Sequence, residues 1–389
     1  MKRYIKLIAC ILIIANLTAC SSAQELNKLA IVTGVGVDKS NEENKIKLTV
    51  QVPKVANFNI TSKSGGTTGA ENASINLTEE SKTISGALKD FNRVMNRKLF
   101  FSHNQVIIFG NKMAESGIEE YIDFFLRNRE TRILVWILVS NGEADKILDV
   151  KPSLDMTSGR NIGELIKNEQ KASQVPAVDL REFTSKLISK TTAPIAPIIE
   201  IDEEKKNKGV IISESAVFDK GKMVGKLNYK ETRGLLWGVN RVKNGIITVN
   251  AKQDEKEAVL EVTKSKSKII PNIKDGIVSM NIKIEAECDL GEQTSSEDLS
   301  TPKGFNMLEE KASEEVRKEV MSAVDKSKQL KADTFGFGDI IYQHYPKQWS
   351  KMESNWSKIF QNIEVQVDAN INIRRSGRIT KPATYKGES

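Results

Sequence analysis

The sequence predicts a mixed α/β (α+β) fold in two or three domains, with mixed sheets packed against helices. Three observations carry this expectation. Apolar runs and strict apolar–polar alternations of strand length occur in both halves of the chain. Amphipathic helical patterns separate them, including a long one over about 305–330. With 389 residues, the chain is long enough to bury more than one core.

The chain opens with Lys2, Arg3 and Lys6, followed by Leu7–Leu17, apolar except for Asn16, and then Leu17-Thr18-Ala19-Cys20. A positive head, a short apolar core and small residues before a cleavage point make a secretory signal over 1–19. The core is shorter than the roughly 20 residues that span a bilayer. Its ending resembles a bacterial lipobox, in which cleavage precedes a cysteine, here Cys20, that carries on its sulfur a diacylglyceryl group with fatty acyl chains such as palmitate. Two acyl chains would contribute on the order of 20 kcal/mol to membrane attachment. Loss of three basic residues and no acidic ones takes the net charge from +7 to +4. That excess suits a domain beside an anionic bilayer and is too weak to imply nucleic acid. Cys10 leaves with the signal and Cys20 is lipidated, so Cys288 stands alone, a small packed residue closing an alternating run.

Leu29–Val37 reads as the first strand, and Ile46, Leu48, Val50 and Val52 alternate in a second, forming a hairpin across the polar turn 38–44. Gly34-x-Gly36 lacks the third glycine and the following helix of a dinucleotide fingerprint, and Asp38 would oppose a pyrophosphate. Residues 57–77, rich in Ser, Thr, Asn and Gly, read as a loop. A helix follows with Ile84, Ala87, Leu88, Phe91, Val94 and Met95 on its inward face, capped by Ser81 or Thr83. Asn104–Gly110 is a buried strand. Ile118, Tyr121, Ile122, Phe125 and Leu126 mark the inward face of the next helix, and Arg132–Val139 is a strand apolar enough to be covered on both faces. Strand, helix, strand with short links predicts a parallel pair. A further short helix spans 143–150, and weaker helical patterns occupy 162–171 and 180–188. Proline-punctuated 191–197 and the charge run Asp202–Lys208 set the expected boundary: an N-terminal α/β region over 20–200, with room for two subdomains, and a C-terminal α+β domain over 209–374.

That second domain opens with strands 210–218 and 223–227, then Tyr229–Trp237, helical toward its end. Short strands follow at 246–249 and 258–263. Val278, Met280, Ile282, Ile284, Ala286 and Cys288 share one face of the next strand. Leu308, Ala312, Val316, Val320, Ala323 and Val324 line the long helix, and a last helix spans 347–360. Ile363, Val365, Val367, Ala369, Ile371 and Ile373 alternate in the final strand, which closes an antiparallel-looking sheet, and 375–389 is a polar tail.

No catalytic or metal constellation emerges. His103 and His344 lie far apart without His or Cys at ligand spacing, and no nucleophile elbow, Walker loop or H-E-x-x-H pair occurs. His103 reads as a satisfied structural imidazole. Gly336-x-Gly338 could hold a phosphate or let Phe335 and Phe337 pack before a helix. The expectation is a chain without enzymatic activity, cofactor or metal.

Several motifs together resemble one family, the Ger(x)C lipoproteins, C subunits of nutrient germinant receptors in spore-forming bacteria. They are Glu25-Leu26-Asn27 with Leu29–Asp38, Lys82–Ser85, Leu99–Gly110, Ile122–Phe125 and Arg132. The second half adds Ala216–Phe218, Val224-Gly225, Glu231–Trp237 (ETRGLLW), Asp333, Gly336–Gly338, Tyr342, Tyr345–Lys347, Trp349, Trp356 and the final strand. The chain departs from the family's pattern with Ser21–Gln24 where Trp and basic residues usually follow the cysteine, Lys82 for Arg and Ser102 for Gly. The resemblance implies a non-enzymatic lipoprotein in the spore inner membrane, facing outward, assembled with two polytopic membrane subunits, A and B. A small nutrient ligand is implied for the receptor and assigned to no residue here. In ETRGLLW, Leu235, Leu236 and Trp237 are expected in the core, with Gly234 letting the helix approach strand 223–227. Arg233 is the expected exposed partner contact. The alternative is a substrate-binding lipoprotein of an ABC importer, which needs two similar lobes.

Overall fold

Residues 106–109 and 137–139 are apolar at every position, a pattern for strands covered on both faces, and they lie at the centre of the largest of three sheets. The computed structural model describes residues 3–4, 26–54, 73–152, 154–203, 209–250, 256–295 and 297–376. The apolar core of the signal, Cys20, most of the 57–77 loop and the tail from 377 onward lie outside the described residues.

The chain enters through β1 (Leu29–Ile31), β2 (Gly34–Lys39) and β3 (Ile46–Pro53), so the expected first strand is two, broken at Val32-Thr33. β4 (Ser74–Ser81) takes in the last four residues of the expected 57–77 loop, because it pairs along its whole length with β3. Helix α1 (Ile84–Val94), capped by Thr83, leads to β5 (Lys98–Phe100) and β6 (Val106–Phe109). Next come α2 (Asn111–Ser116), α3 (Glu119–Arg127), β7 (Trp136–Ser140), α4 (Ala144–Asp149), α5 (Ser158–Ala172) and α6 (Leu180–Leu187). β8 (Ile195–Asp202), β9 (Gly209–Asp219) and β10 (Lys222–Leu227) complete an eight-stranded sheet of order β10-β9-β8-β7-β6-β2-β3-β4. β2, β6, β7 and β8 are parallel, including the expected β6–β7 pair; β3, β4, β9 and β10 add antiparallel flanks. β1 and β5 form a separate parallel pair. The charge run 202–208 therefore joins two paired strands of one sheet.

Both faces of the central strands are buried. Ile107, Phe109, Ile137 and Val139 pack with Phe91, Ile122 and Phe125, whereas Val106, Ile108 and Leu138 pack with Ile147, Ile162 and Ile166 on the other face. Four residues expected inside are exposed: Val94 (70%), Leu126 (41%), Ile133 (52%) and Leu134 (57%). Ile133 and Leu134 precede β7, which starts only at Trp136.

α7 (Tyr229–Gly238) links to a second sheet of order β11-β12-β13-β14: β11 (Ile246–Asn250), β12 (Glu257–Lys274), β13 (Ile277–Gln293) and β14 (Glu364–Arg375). β12 extends eleven residues past its expected end at Thr263, because Lys264, Lys266 and Lys268 sit on the uncovered face and interrupt the apolar signal. β14 pairs parallel with β13, not antiparallel as expected. α8 (Pro302–Gln329) covers the sheet's inner face with Leu308, Ala312, Val316, Val320, Ala323 and Val324, and Val278 through Cys288 face it at alternate positions. α9 (Phe337–His344) follows, and the expected single helix 347–360 is α10 (Pro346–Met352), a 3₁₀ turn and α11 (Trp356–Asn362). The fold is α+β, as expected. Its two sheets differ in size, pairing and covering, unlike the two similar lobes that an importer's binding protein needs.

Candidate functional site

In open α/β sheets, ligands bind outside the carboxyl ends of the parallel strands. Here the chain fills that place itself. Asp38, at the end of β2 and 2% exposed, accepts the backbone N–H groups of Ala144 (2.7 Å) and Asp145 (3.1 Å) at the start of α4. Burial pushes its carboxyl up to about 6 against the pull of these donors. Lys47 bridges to Asp145 at 3.0 Å beside it. Among the described residues no group of three His, Cys, Asp or Glu could hold a metal ion. Both histidines are exposed, which corrects the reading of His103 as a satisfied imidazole: its ring lies 6.2 Å from Phe100, and His344 Nδ1 lies 2.9 Å from the Ile340 carbonyl. The Cys288 thiol is buried, and burial pushes it up to about 12, far from a reactive thiolate.

The sequence-singled motifs meet at a joint between the two sheets. α7 begins with a capping box, Asn228 and Glu231 each accepting the other's backbone N–H. Leu235, Leu236 and Trp237 are 1%, 2% and 0% exposed, as expected of core. Gly234 is needed for close approach, but to α8 and not to β10: a Cβ there would overlap the Glu319 carbonyl oxygen. Arg233 is corrected too. Its side chain is only 12% exposed, donates to the Ile246 carbonyl and pairs with Glu319 at 3.4 Å, because α7 lies between α8 and β11 and the guanidinium reaches both.

On the other side of the joint, Gly336 adopts a left-handed φ of +73°. That turn aims the Phe337 and Gly338 N–H groups at the Asp333 carboxylate, at 2.9 and 2.8 Å. An internal carboxyl group therefore occupies the place where a phosphate was considered. Burial pushes Asp333 up to about 7 despite these donors. Asp339 accepts hydroxyls from Ser189 (2.9 Å), Thr191 (2.7 Å) and Thr192 (2.6 Å), and Ala193 N–H donates to the Asp333 carbonyl (2.9 Å). Phe335 packs against Gly238 and stacks on Phe337 at 5.3 Å; the array continues through Phe360 and Trp356 to Trp349.

Next to this joint an open groove of about 990 Å³ runs between α8 and β11. Lys230, Glu314, Glu315, Arg317 and Lys318 line it, with Met307 as its one large apolar side chain apart from Val249, and Lys230 pairs with Glu315 at 3.4 Å. Small-molecule sites are mostly apolar with a few placed polar groups. A wide groove of mixed charge instead suits a segment of another protein.

Comparison with known proteins agrees with this arrangement. Residues 22–201 match the family model described as spore germination protein N-terminal domain, and 213–377 match the one described as spore germination B3/GerAC like, C-terminal. The chain belongs to the Ger(x)C family. Relatives in Bacillus subtilis (strain 168) include spore germination protein KC, 26% identical over 95% of each chain, and spore germination protein YndF, 27% identical over 96% of each. Spore germination protein B3 is 24% identical over 94% of this chain and 96% of its own. The crystal structure of the GerBC protein shares the fold, with a TM-score of 0.55 and 19% identity over 87% of this chain and 96% of that one.

In this Ger(x)C chain two of the motifs that carry the resemblance are thus builders of the joint. ETRGLLW supplies α7's packing face and the Arg233–Glu319 pair; the Asp333–Gly338 stretch supplies the internal carboxyl group and its turn. Sequence reasoning missed Asp38 as a helix cap and the hydroxyl cluster around Asp339. An aspartate directly after an apolar strand, and Ser-x-Thr-Thr before a proline, were the available signals.

Proposed function

We propose that this chain is the lipid-anchored C subunit of a nutrient germinant receptor. Cys20 carries the diacylglyceryl group, the folded part faces outward from the spore inner membrane, and the chain acts by assembling with the polytopic A and B subunits. The observation that carries this reading is the lipobox ending Leu17-Thr18-Ala19-Cys20 on a chain of the Ger(x)C family. Membership in a family of receptor subunits supports binding over catalysis. The mixed-charge groove along α8, and not Arg233, is the surface offered to a partner segment. Cys20→Ala should move the protein from the membrane to the soluble fraction of spores, slow nutrient germination, and lower recovery of A and B with a tagged chain. A Cys20 found by mass spectrometry to carry no lipid would overturn the anchor, and undiminished A and B without this chain would overturn the assembly role.

A further inference from the structure

The strands of the eight-stranded sheet define two ends, and one of them is unlike the rest of the surface. β2, β6 and β7 start there at Gly34, Val106 and Trp136, β3 ends there at Pro53, and β4 starts there opposite it at Ser74. α1 returns from the far end, where Ser81 pairs with Ile46, and stops at this end with Val94 before feeding β5 beside β1. α3 likewise returns to it with Leu126, and the segment 128–135 crosses it to reach β7. The α4–α5 link crosses it too, since Leu148 and Gly159 both lie against Gly34.

Thirteen large apolar side chains are exposed among the described residues, and six of them lie at this end: Ile75, Val94, Leu126, Ile133, Leu134 and Leu154. Such clustering marks an interaction surface. The backbone holds Ile133 and Leu134 outward, because Arg181 N–H donates to the Ile133 carbonyl (3.0 Å) and Leu180 N–H to that of Val135 (2.8 Å). Basic residues alternate with the apolar ones in sequence: Arg93 beside Val94, Arg127 beside Leu126, Arg132 beside Ile133. Arg93 and Arg127 have carboxylates of their own helices near them, Asp90 at 3.7 Å and Asp123 at 2.7 Å, and Lys98 has Glu130 at 2.7 Å. Arg129 and Arg132 are exposed and have no carboxylate partner among the described residues. Between Ile133–Leu134 and α5 opens a cleft of about 520 Å³, also lined by Lys167 and by Asn104, which is 3% exposed and has neither amide atom hydrogen-bonded.

We infer that this end of the sheet is a bilayer-contact surface, with Val94, Leu126, Ile133 and Leu134 seated among lipid headgroups and Arg129 and Arg132 on anionic phosphates. Its position fits. β1 lies at this same end, Leu26 is its outermost described neighbour, and the six residues back to Cys20 reach at most about 20 Å. Exposed apolar side chains together with the unpaired guanidinium groups of Arg129 and Arg132 are what a headgroup layer accommodates, and each basic residue adds attraction to anionic lipid. The inference rests on the proposed anchor for its orientation, whereas its test does not need the lipid.

The processed chain, residues 20–389 with Cys20→Ser, should co-sediment with vesicles of phosphatidylcholine and phosphatidylglycerol, and less with phosphatidylcholine alone or at high salt. Replacing Arg129 and Arg132 by Gln, with Ile133 and Leu134 by Ser, should lower partitioning about thirtyfold or more. In a second measurement, a polarity-sensitive fluorophore on Leu134→Cys should shift to the blue and be quenched by headgroup spin-labelled lipid, whereas one on exposed Ile277→Cys should not. Equal partitioning of both chains, or equal responses of both fluorophores, would overturn the surface whatever Cys20 carries. A Cys20 found by mass spectrometry to carry no lipid in spores, with vesicle binding intact, would overturn the anchor and leave the surface standing.

Discussion

The two sheets solve burial differently. In the eight-stranded sheet, neighbouring residues of one strand belong to different cores: Ile107 packs toward α1 and α3, and Ile108 toward α4 and α5. In the four-stranded sheet only one face is covered, so Ile282 is buried by α8 while Lys283 is exposed. Substitutions should therefore be costly at consecutive positions in the first sheet and at alternate positions in the second. The joint, where α7 serves both sheets, should be the most sensitive place of all.

The largest effect is expected at the joint. Gly234→Val drives carbon into the Glu319 backbone, and Trp237→Ala opens a cavity at a fully buried site. Each should cost about 3–5 kcal/mol or more in denaturant melts. A Trp237→Ala melt that does not shift would move the tryptophan out of the core. The contrast between the sheets comes next. Ile107→Ala and Ile108→Ala should each cost about 2–5 kcal/mol, as should Ile282→Ala, whereas Lys283→Ala should stay within about 0.5 kcal/mol. Similar costs for Ile282 and Lys283 would break the comparison.

A pH experiment sharpens it, because each unit carries one buried, N–H-bonded aspartate. Asp38 and Asp333 hold their protons up to about 6 and about 7 in the folded chain, whereas an unfolded aspartate releases its proton near pH 4. Between pH 4 and 7 the folded state therefore binds more protons, so these groups favour folding most below pH 4 and least above pH 7. The stability lead of the wild type over Asp333→Asn should shrink as pH rises from 4 to 7, on the order of 3 kcal/mol in melts across that range. A lead that grows with pH would show that Asp333 is ionised throughout. The smallest effects belong to His103→Gln and His344→Gln. Both residues are exposed, so each change should alter stability by less than about 0.5 kcal/mol and leave germination unchanged.

How far the sequence could be read follows the same contrast. Alternation named the inner face of β13 residue by residue, since one covered face leaves a clean period of two. Uninterrupted apolar runs located β6 and β7 but not the start of β7: Arg132–Val135 looks like strand, and Ile133 and Leu134 look like core. Hydrophobicity marks burial against something, and at the sheet's end that something is not among the described residues. Val94 and Leu126 misled in the same way, each continuing a helical stripe one turn beyond the core. The lysines of β12 erred in the opposite direction by hiding a strand whose partner pays no heed to its outer face. At the joint, ETRGLLW was legible as core, but Arg233 was not. Its partner Glu319 lies 86 positions away on another helix, and no local spacing announces it.

The connection of β8 to β9 through the charge run has a consequence for how the chain matures. The larger sheet is not complete until residue 227 is available, and the parallel β13–β14 pairing must wait for α8 through α11. Closures this distant in sequence are slow to form. A chain emerging amino end first would expose the β8 edge, and later that of β13, as bare pairing templates during the wait. Premature truncation anywhere in β14 should thus yield a sticky, protease-sensitive product rather than a shorter working subunit.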